Sequence, residues 1–123
     1  MTIAQAKELI KRKYSIDNCT PDSFSVNTNI MVNQTSFAFI MAEVINDEIF
    51  LTDHSKTIEN TIKSKEKIKQ ICTKNGLQFN EEYADIQLKL TCIEDVDNFL
   101  DTIQEIILEN GEIPEELWTK RHF

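Results

Sequence analysis

Ala84-Asp-Ile-Gln-Leu-Lys-Leu-Thr-Cys-Ile-Glu-Asp-Val-Asp-Asn-Phe-Leu-Asp-Thr-Ile-Gln-Glu-Ile-Ile-Leu-Glu-Asn110 is the stretch that decides the fold. In its first third, Ala84, Ile86, Leu88, Leu90 and Cys92 alternate with Asp85, Gln87, Lys89 and Thr91. A period of two describes a strand with one wet face. The period then changes. Val96, Phe99, Leu100, Ile103, Ile106 and Ile107 recur at helical spacing and form an apolar stripe. Thr91-Cys-Ile-Glu94 has the spacing of a capping box, and Asn110-Gly111 is a helix stop. The strand and the helix each have one apolar side, and both sides are buried if the helix packs on the sheet. Ile86, Leu88 and Leu90 are therefore expected to share a core with Phe99, Leu100, Ile103 and Ile107.

Further elements lie upstream. Glu48-Ile-Phe-Leu-Thr-Asp53 follows Asn46-Asp47, a turn pair that closes a hairpin with the apolar run Phe37 to Ile45. That run has few polar positions, as expected of a strand covered on both faces. Phe24, Val26, Thr28, Ile30 and Val32 alternate with Ser25, Asn27, Asn29, Met31 and Asn33 and predict another strand, after the turn signal at Thr20-Pro21-Asp22. Ile3, Ala6, Leu9 and Ile10 predict an opening helix from Thr2 to about Tyr14. Between Ser55 and Asn75 the apolar spacing breaks around Lys63 to Lys67, so two short helices or one kinked helix are expected, stopped by Asn75-Gly76. Pro114-Glu-Glu-Leu-Trp118 reads as a short terminal helical turn. The expected fold is α+β, a small antiparallel sheet packed against helices in the order α-β-β-β-α-β-α. A chain of 123 residues with no repeat or linker is expected to form a single domain, 1–123.

Composition narrows the functional classes. The formal charge is −8, and it is unevenly placed. Residues 1–78 hold ten Lys/Arg against nine Asp/Glu, whereas residues 79–123 hold three against twelve. Such an acidic surface repels phosphate backbones, which argues against direct nucleic-acid binding. There is no apolar run of membrane-spanning length, and the N-terminal segment carries Glu8 and no cleavage site, so neither a membrane anchor nor a signal peptide is expected. Cys19, Cys72 and Cys92 are odd in number and lack ligand or disulfide spacing. That fits a reducing, cytoplasmic setting.

Glu48-Ile-Phe-Leu-Thr-Asp53, Thr57-Ile-Glu-Asn-Thr-Ile62 and Lys67-Ile-Lys-Gln-Ile-Cys-Thr-Lys-Asn-Gly-Leu-Gln-Phe-Asn80 together resemble a bacterial and phage family, domain of unknown function 1828. The resemblance covers roughly residues 48–107. In that family a strand ending Leu-Thr-Asp precedes a helix, then a second helix and a strand. This chain has His54-Ser55 where the family tends to have Asp-Gly. What the resemblance implies is a prophage or mobile-element context, with no reaction attached.

Thr52-Asp53-His54-Ser55 is the most polar cluster at a strand-to-helix junction. Its plain reading is a helix cap, with Asp53 or Ser55 accepting free N–H groups. Its chemical reading joins Glu43, Asp53 and His54 in a metal-dependent hydrolase or nuclease site. A two-residue loop at Asn46-Asp47 would put Glu43 opposite Phe50 and on the face of Thr52. A three-residue loop would put it on the face of Asp53. Zinc has no local ligand pair here, Cys72 and Cys92 sit in apolar stripes, and two glycines leave no phosphate-cradling loop. No cofactor and no resident metal are expected.

Asp97, Asp101, Glu105 and Glu109 recur every four residues on a helix without Lys or Arg. Like charges at that spacing destabilise an isolated helix. The row is either a solvated face, relieved by the Lys-rich segment Lys63 to Lys74, or a docking surface for a basic partner. Trp118 is either a clasp on the core or an anchor for that partner. These features point to a non-catalytic binding or regulatory protein of prophage or mobile-element origin, anti-defence or immunity-like, that binds a basic partner through the acidic face of its C-terminal helix, with Asp97, Asp101, Glu105, Glu109 and Trp118 as the contact residues. The hydrolase built on Glu43, Asp53 and His54 is the alternative.

Overall fold

A computed structural model describes residues 1–28, 30, 37–59 and 65–110. The first helix, α1, covers Ile3–Lys11. Thr2 and Gln5 form a capping box across its N-terminus, with Thr2 Oγ1 accepting from Gln5 N at 3.1 Å and Gln5 Oε1 accepting from Thr2 N at 2.8 Å. Ile3, Ala6 and Ile10 are its buried face. The helix ends at Lys11, short of the expected Tyr14, in a last turn where Lys13 N and Tyr14 N share Ile10 O.

Six antiparallel strands follow: β1 Ile16–Asp17, β2 Ser23–Val26, β3 Ile40–Ile45, β4 Glu48–Thr52, β5 Gln78–Asn80 and β6 Asp85–Lys89. They lie in the order β1-β2-β3-β4-β6-β5. Three helices interrupt or close this series: α2 Lys56–Glu59, α3 Lys65–Lys74 and α4 Glu94–Asn110. The architecture is the expected α+β class, with two strands more than the periodicity foretold. β1 and β5 span two and three residues. Segments so short carry no readable period, and their pairing is set by the strands beside them.

The β3–β4 loop is the two-residue one. Ile45 pairs with Glu48 and Glu43 with Phe50. Asn46 and Asp47 take φ values of 51° and 64°, the pair of left-handed residues that a tight hairpin requires. The C-terminus of α3 is equally explicit. Leu77 N donates to Cys72 O and Gly76 N to Thr73 O, with Gly76 at φ 81°. This is a Schellman stop at the expected residues.

Phe24, Val26, Ile40, Ala42, Ile49, Leu51 and Ile86 point to one side of the sheet and are buried there in one cluster with Ile10, Ile68, Ile71, Phe99, Leu100, Ile103 and Ile107. The shared core of β6 and α4 is therefore present, with Leu88 at its partly buried margin. β3 departs from expectation. It begins at Ile40, Phe37 is 55% exposed, and burial alternates only over Ile40–Glu43, with Val44 exposed beyond, so β3 is not covered along its length on both faces. Ile40 and Ala42 face the cluster that the buried helix residues join, while Met41 and Glu43 are half-buried on the other side, Met41 between the buried Ser25 and Thr52. β2 ends at Val26, although Ala38 N still donates to Ile30 O beyond it. Val32, the interval between α2 and α3, and the terminal turn at Pro114 fall outside the described residues. Among the described residues no helix is long and apolar enough to cross a membrane.

Candidate functional site

The junction after β4 is organised by Asp53, whose side chain is fully buried. Asp53 N donates to Ile86 O at 3.3 Å, while Ile86 N donates to Asp53 Oδ1 at 2.9 Å. The side chain thus replaces the main-chain carbonyl and extends the β4–β6 ladder one residue beyond the pair Thr52–Gln87. Its own main-chain carbonyl is free to turn, and accepts from Lys56 N at 3.0 Å. Oδ1 also accepts from Ser55 N, and Oδ2 from Thr57 N, both at 3.1 Å. One carboxylate therefore holds two strands and the start of α2 together. Burial pushes its pKa up, against the downward pull of the hydrogen bonds from Thr57, Ile86 and Ser55.

Backbone conformation at this corner is unusual. His54 and Ser55 have φ values of 48° and 66°, and Ala84 across from them has 58°. Residues other than glycine adopt such values at a cost, and only where surrounding bonds enforce them. Here the enforcement is visible. His54 N donates to Thr52 Oγ1, and the single Ser55 hydroxyl proton is within reach of two acceptors, Asp85 Oδ1 at 2.6 Å and Tyr83 O.

Glu43 lies elsewhere. Its pairing with Phe50 puts it on the face of Thr52, the side of the sheet away from Asp53. His54 reaches over to that side, where Nε2 is 3.2 Å from Glu43 Oε2 and the ring meets Phe39 edge-on. The three residues of the hydrolase reading are thus divided. Glu43 and His54 meet on one face, and Asp53 is turned into the other with its oxygens engaged by N–H groups.

The thiols are equally dispersed. Cys72 is buried and its pKa is pushed up to about 12, first by burial and then by the nearby Asp53. Cys19 and Cys92 are exposed, so Cys92 does not belong to the apolar stripe assigned from its alternation. The strand has ended by then, at Lys89. Among the described residues no three His, Cys, Asp or Glu side chains group in a way that would hold a metal ion.

The acidic row of α4 is largely answered from within the molecule. Asp97 accepts from Lys13 Nζ at 2.6 Å and from the Tyr14 hydroxyl. Glu105 accepts from Lys74 Nζ and from Asn75 Nδ2. That bond to Lys74 holds the Glu105 carboxyl below its usual range, and the same bond raises the Lys74 ammonium. Asp101 and Glu109 are exposed. Trp118 lies outside the described residues.

Two caps escaped the sequence reading. The Thr-x-x-Gln spacing at Thr2 was a readable signal for the first. At α4, Asp95 Oδ2 accepts from Thr91 N at 2.7 Å and Cys92 N at 3.0 Å, in place of the expected Thr91–Glu94 box. No protein-family model matches the chain, and no curated protein and no solved structure matches it.

Proposed function

We propose that this chain is a non-catalytic protein-binding or regulatory protein, of prophage or mobile-element origin, that engages a basic partner in the manner of an anti-defence inhibitor or a toxin-neutralising immunity protein. The observation that supports this over the hydrolase is the separation of its three candidate residues. Hydrolytic metal chemistry needs carboxylates converging on one ion with room for a water. Asp53 is instead fully buried, turned away from Glu43, and occupied by backbone donors. The net charge of −8 then supplies the binding term: a long-range field that attracts cationic surfaces and speeds their association at low salt.

The test is recovery of partners from a native host on the immobilised chain. A basic protein should be retained at low salt, released at high salt, and retained equally by Asp53→Asn. A metal-dependent hydrolytic turnover, abolished in Asp53→Asn with an unchanged melting temperature, would reverse the assignment.

A further inference from the structure

We infer that Asn75 is a site of covalent modification gated by the fold: its side-chain amide is converted to a carboxylate, through its own neighbour Gly76, in chains whose α3–α4 contact has opened. Asn75 and Gly76 are adjacent at the stop of α3. The reaction open to this pair in water is intramolecular. Gly76 N attacks Asn75 Cγ, and the new N–Cγ bond closes a cyclic imide. The Cγ–Nδ2 bond breaks, and Nδ2 leaves as ammonia with the proton that Gly76 N gives up. Water then opens the imide at either carbonyl, giving aspartate or isoaspartate. Glycine is the least hindered nucleophile for this step, because it has no Cβ. A Cβ added at Gly76 would meet nothing within 4 Å, so no neighbouring group crowds that side of the nitrogen either.

In the closed fold the attack is opposed at each atom it uses. The nucleophile, Gly76 N, donates to Thr73 O at 3.2 Å. The electrophile is held away from it: Asn75 Nδ2 donates to Ile71 O at 2.9 Å and to Glu105 Oε1 at 3.3 Å. Rotation of the main chain, which would bring Cγ to the nitrogen, is resisted at Asn75 O, which accepts from Asn98 Nδ2 at 3.0 Å. Glu105 and Asn98 both belong to α4, and Lys74 holds Glu105 in place. The gate is therefore the α3–α4 contact, and opening one helix end takes less free energy than unfolding the whole chain. Conversion then keeps that end from closing again. Aspartate at this position has no N–H for Ile71 O or Glu105, and it sets a second carboxylate against Glu105. Isoaspartate lengthens the main chain in the turn where Gly76 N and Leu77 N reach Thr73 O and Cys72 O. Either product adds a negative charge to a chain that already carries −8.

The test is peptide mapping by mass of the full chain incubated at mildly alkaline pH, which separates Asn75 from Asn110-Gly111, the other Asn-Gly pair. Conversion at Asn75 should be about tenfold slower or more in the folded chain than in the same chain held in denaturant at the same pH. Glu105→Ala and Asn98→Ala should each speed it about threefold to tenfold, the factor by which loss of one hydrogen bond raises the open population. Ile40→Val, a core change on β3, should lower the melting temperature and leave the Asn75 rate unchanged. Equal rates in the folded and denatured chain would overturn the gate. So would unchanged rates in both Glu105→Ala and Asn98→Ala, or a rise in Ile40→Val as large as theirs. Absence of conversion at Asn75 even in denaturant would remove the site itself.

Discussion

Asp53 shows how much one side chain can carry. It supplies acceptors to three N–H groups that belong to the turn after β4, the start of α2 and the neighbouring strand β6. Asparagine keeps one acceptor and turns a donor toward the others, so Asp53→Asn should destabilise the fold by about 1–3 kcal/mol in chemical denaturation. Asp53→Ala should destabilise it further, since both acceptors go. A pH series separates this role from simple packing. Because burial raises the folded pKa above the ordinary 3.8, the protonated carboxyl is favoured in the folded state. The corresponding stability is present below the unfolded pKa and is lost as pH rises through the folded one. The melting-temperature difference between wild type and Asp53→Asn should therefore shrink as pH rises from about 4. A difference independent of pH would show that the group titrates alike in both states.

At the scale of the element, termini decide more than interiors. α3 stops where Gly76 takes up φ 81°, and an added Cβ there would meet nothing within 4 Å. The penalty for Gly76→Ala is thus conformational and not steric, and about 1–2 kcal/mol is expected from a left-handed alanine. Thermal denaturation would check it; an unchanged melting temperature would mean that the turn has another conformation open to it. α4 makes the complementary point. Its apolar stripe fixed the helix span in advance, yet its N-terminus is held by Asp95 reaching back to Thr91 and Cys92. Spacing pointed to Glu94, and the carboxylate that caps is its neighbour Asp95.

Across the whole molecule, the charge that reads as a one-sided row becomes a set of inter-element ties. Asp97 joins α4 to the end of α1, and Glu105 joins it to α3. Reversing such a residue does more than relieve like-charge repulsion along the helix. Glu105→Lys should lower the melting temperature, because it removes the bond to Lys74 and sets two cations together. Glu109→Lys, exposed and with only a weaker attraction to Lys74, should lower it less. A rise in both variants would restore the picture of an unrelieved acidic row. Acid should weaken the Glu105 tie as well: its lowered pKa contributes stability above the unfolded value, lost as pH falls through the folded one.

By itself the sequence determined the α+β class, the span of α4, the hairpin at Asn46-Asp47 and the stop at Asn75-Gly76. Each is written in a local signal: an apolar period, a turn pair or a glycine able to adopt positive φ. It also narrowed the cluster at Thr52–Ser55 to a cap or a site, and left the side of Glu43 to a loop length it did not specify. Tertiary structure decided the rest. The two-residue loop put Glu43 and Asp53 on opposite faces, since strand side chains alternate and one residue of slip exchanges sides. Pairing across the sheet, not local pattern, created β1 and β5 and brought Ile86 N to the Asp53 carboxylate. The cluster shared with the helices buries Ile40 and Ala42 of β3 but leaves Met41 and Glu43 half-buried and Val44 exposed, although its composition had suggested a strand covered on both faces. The charges of α4 were partnered by residues 84 and 31 positions away, Lys13 and Lys74, a relation that spacing along one helix does not contain.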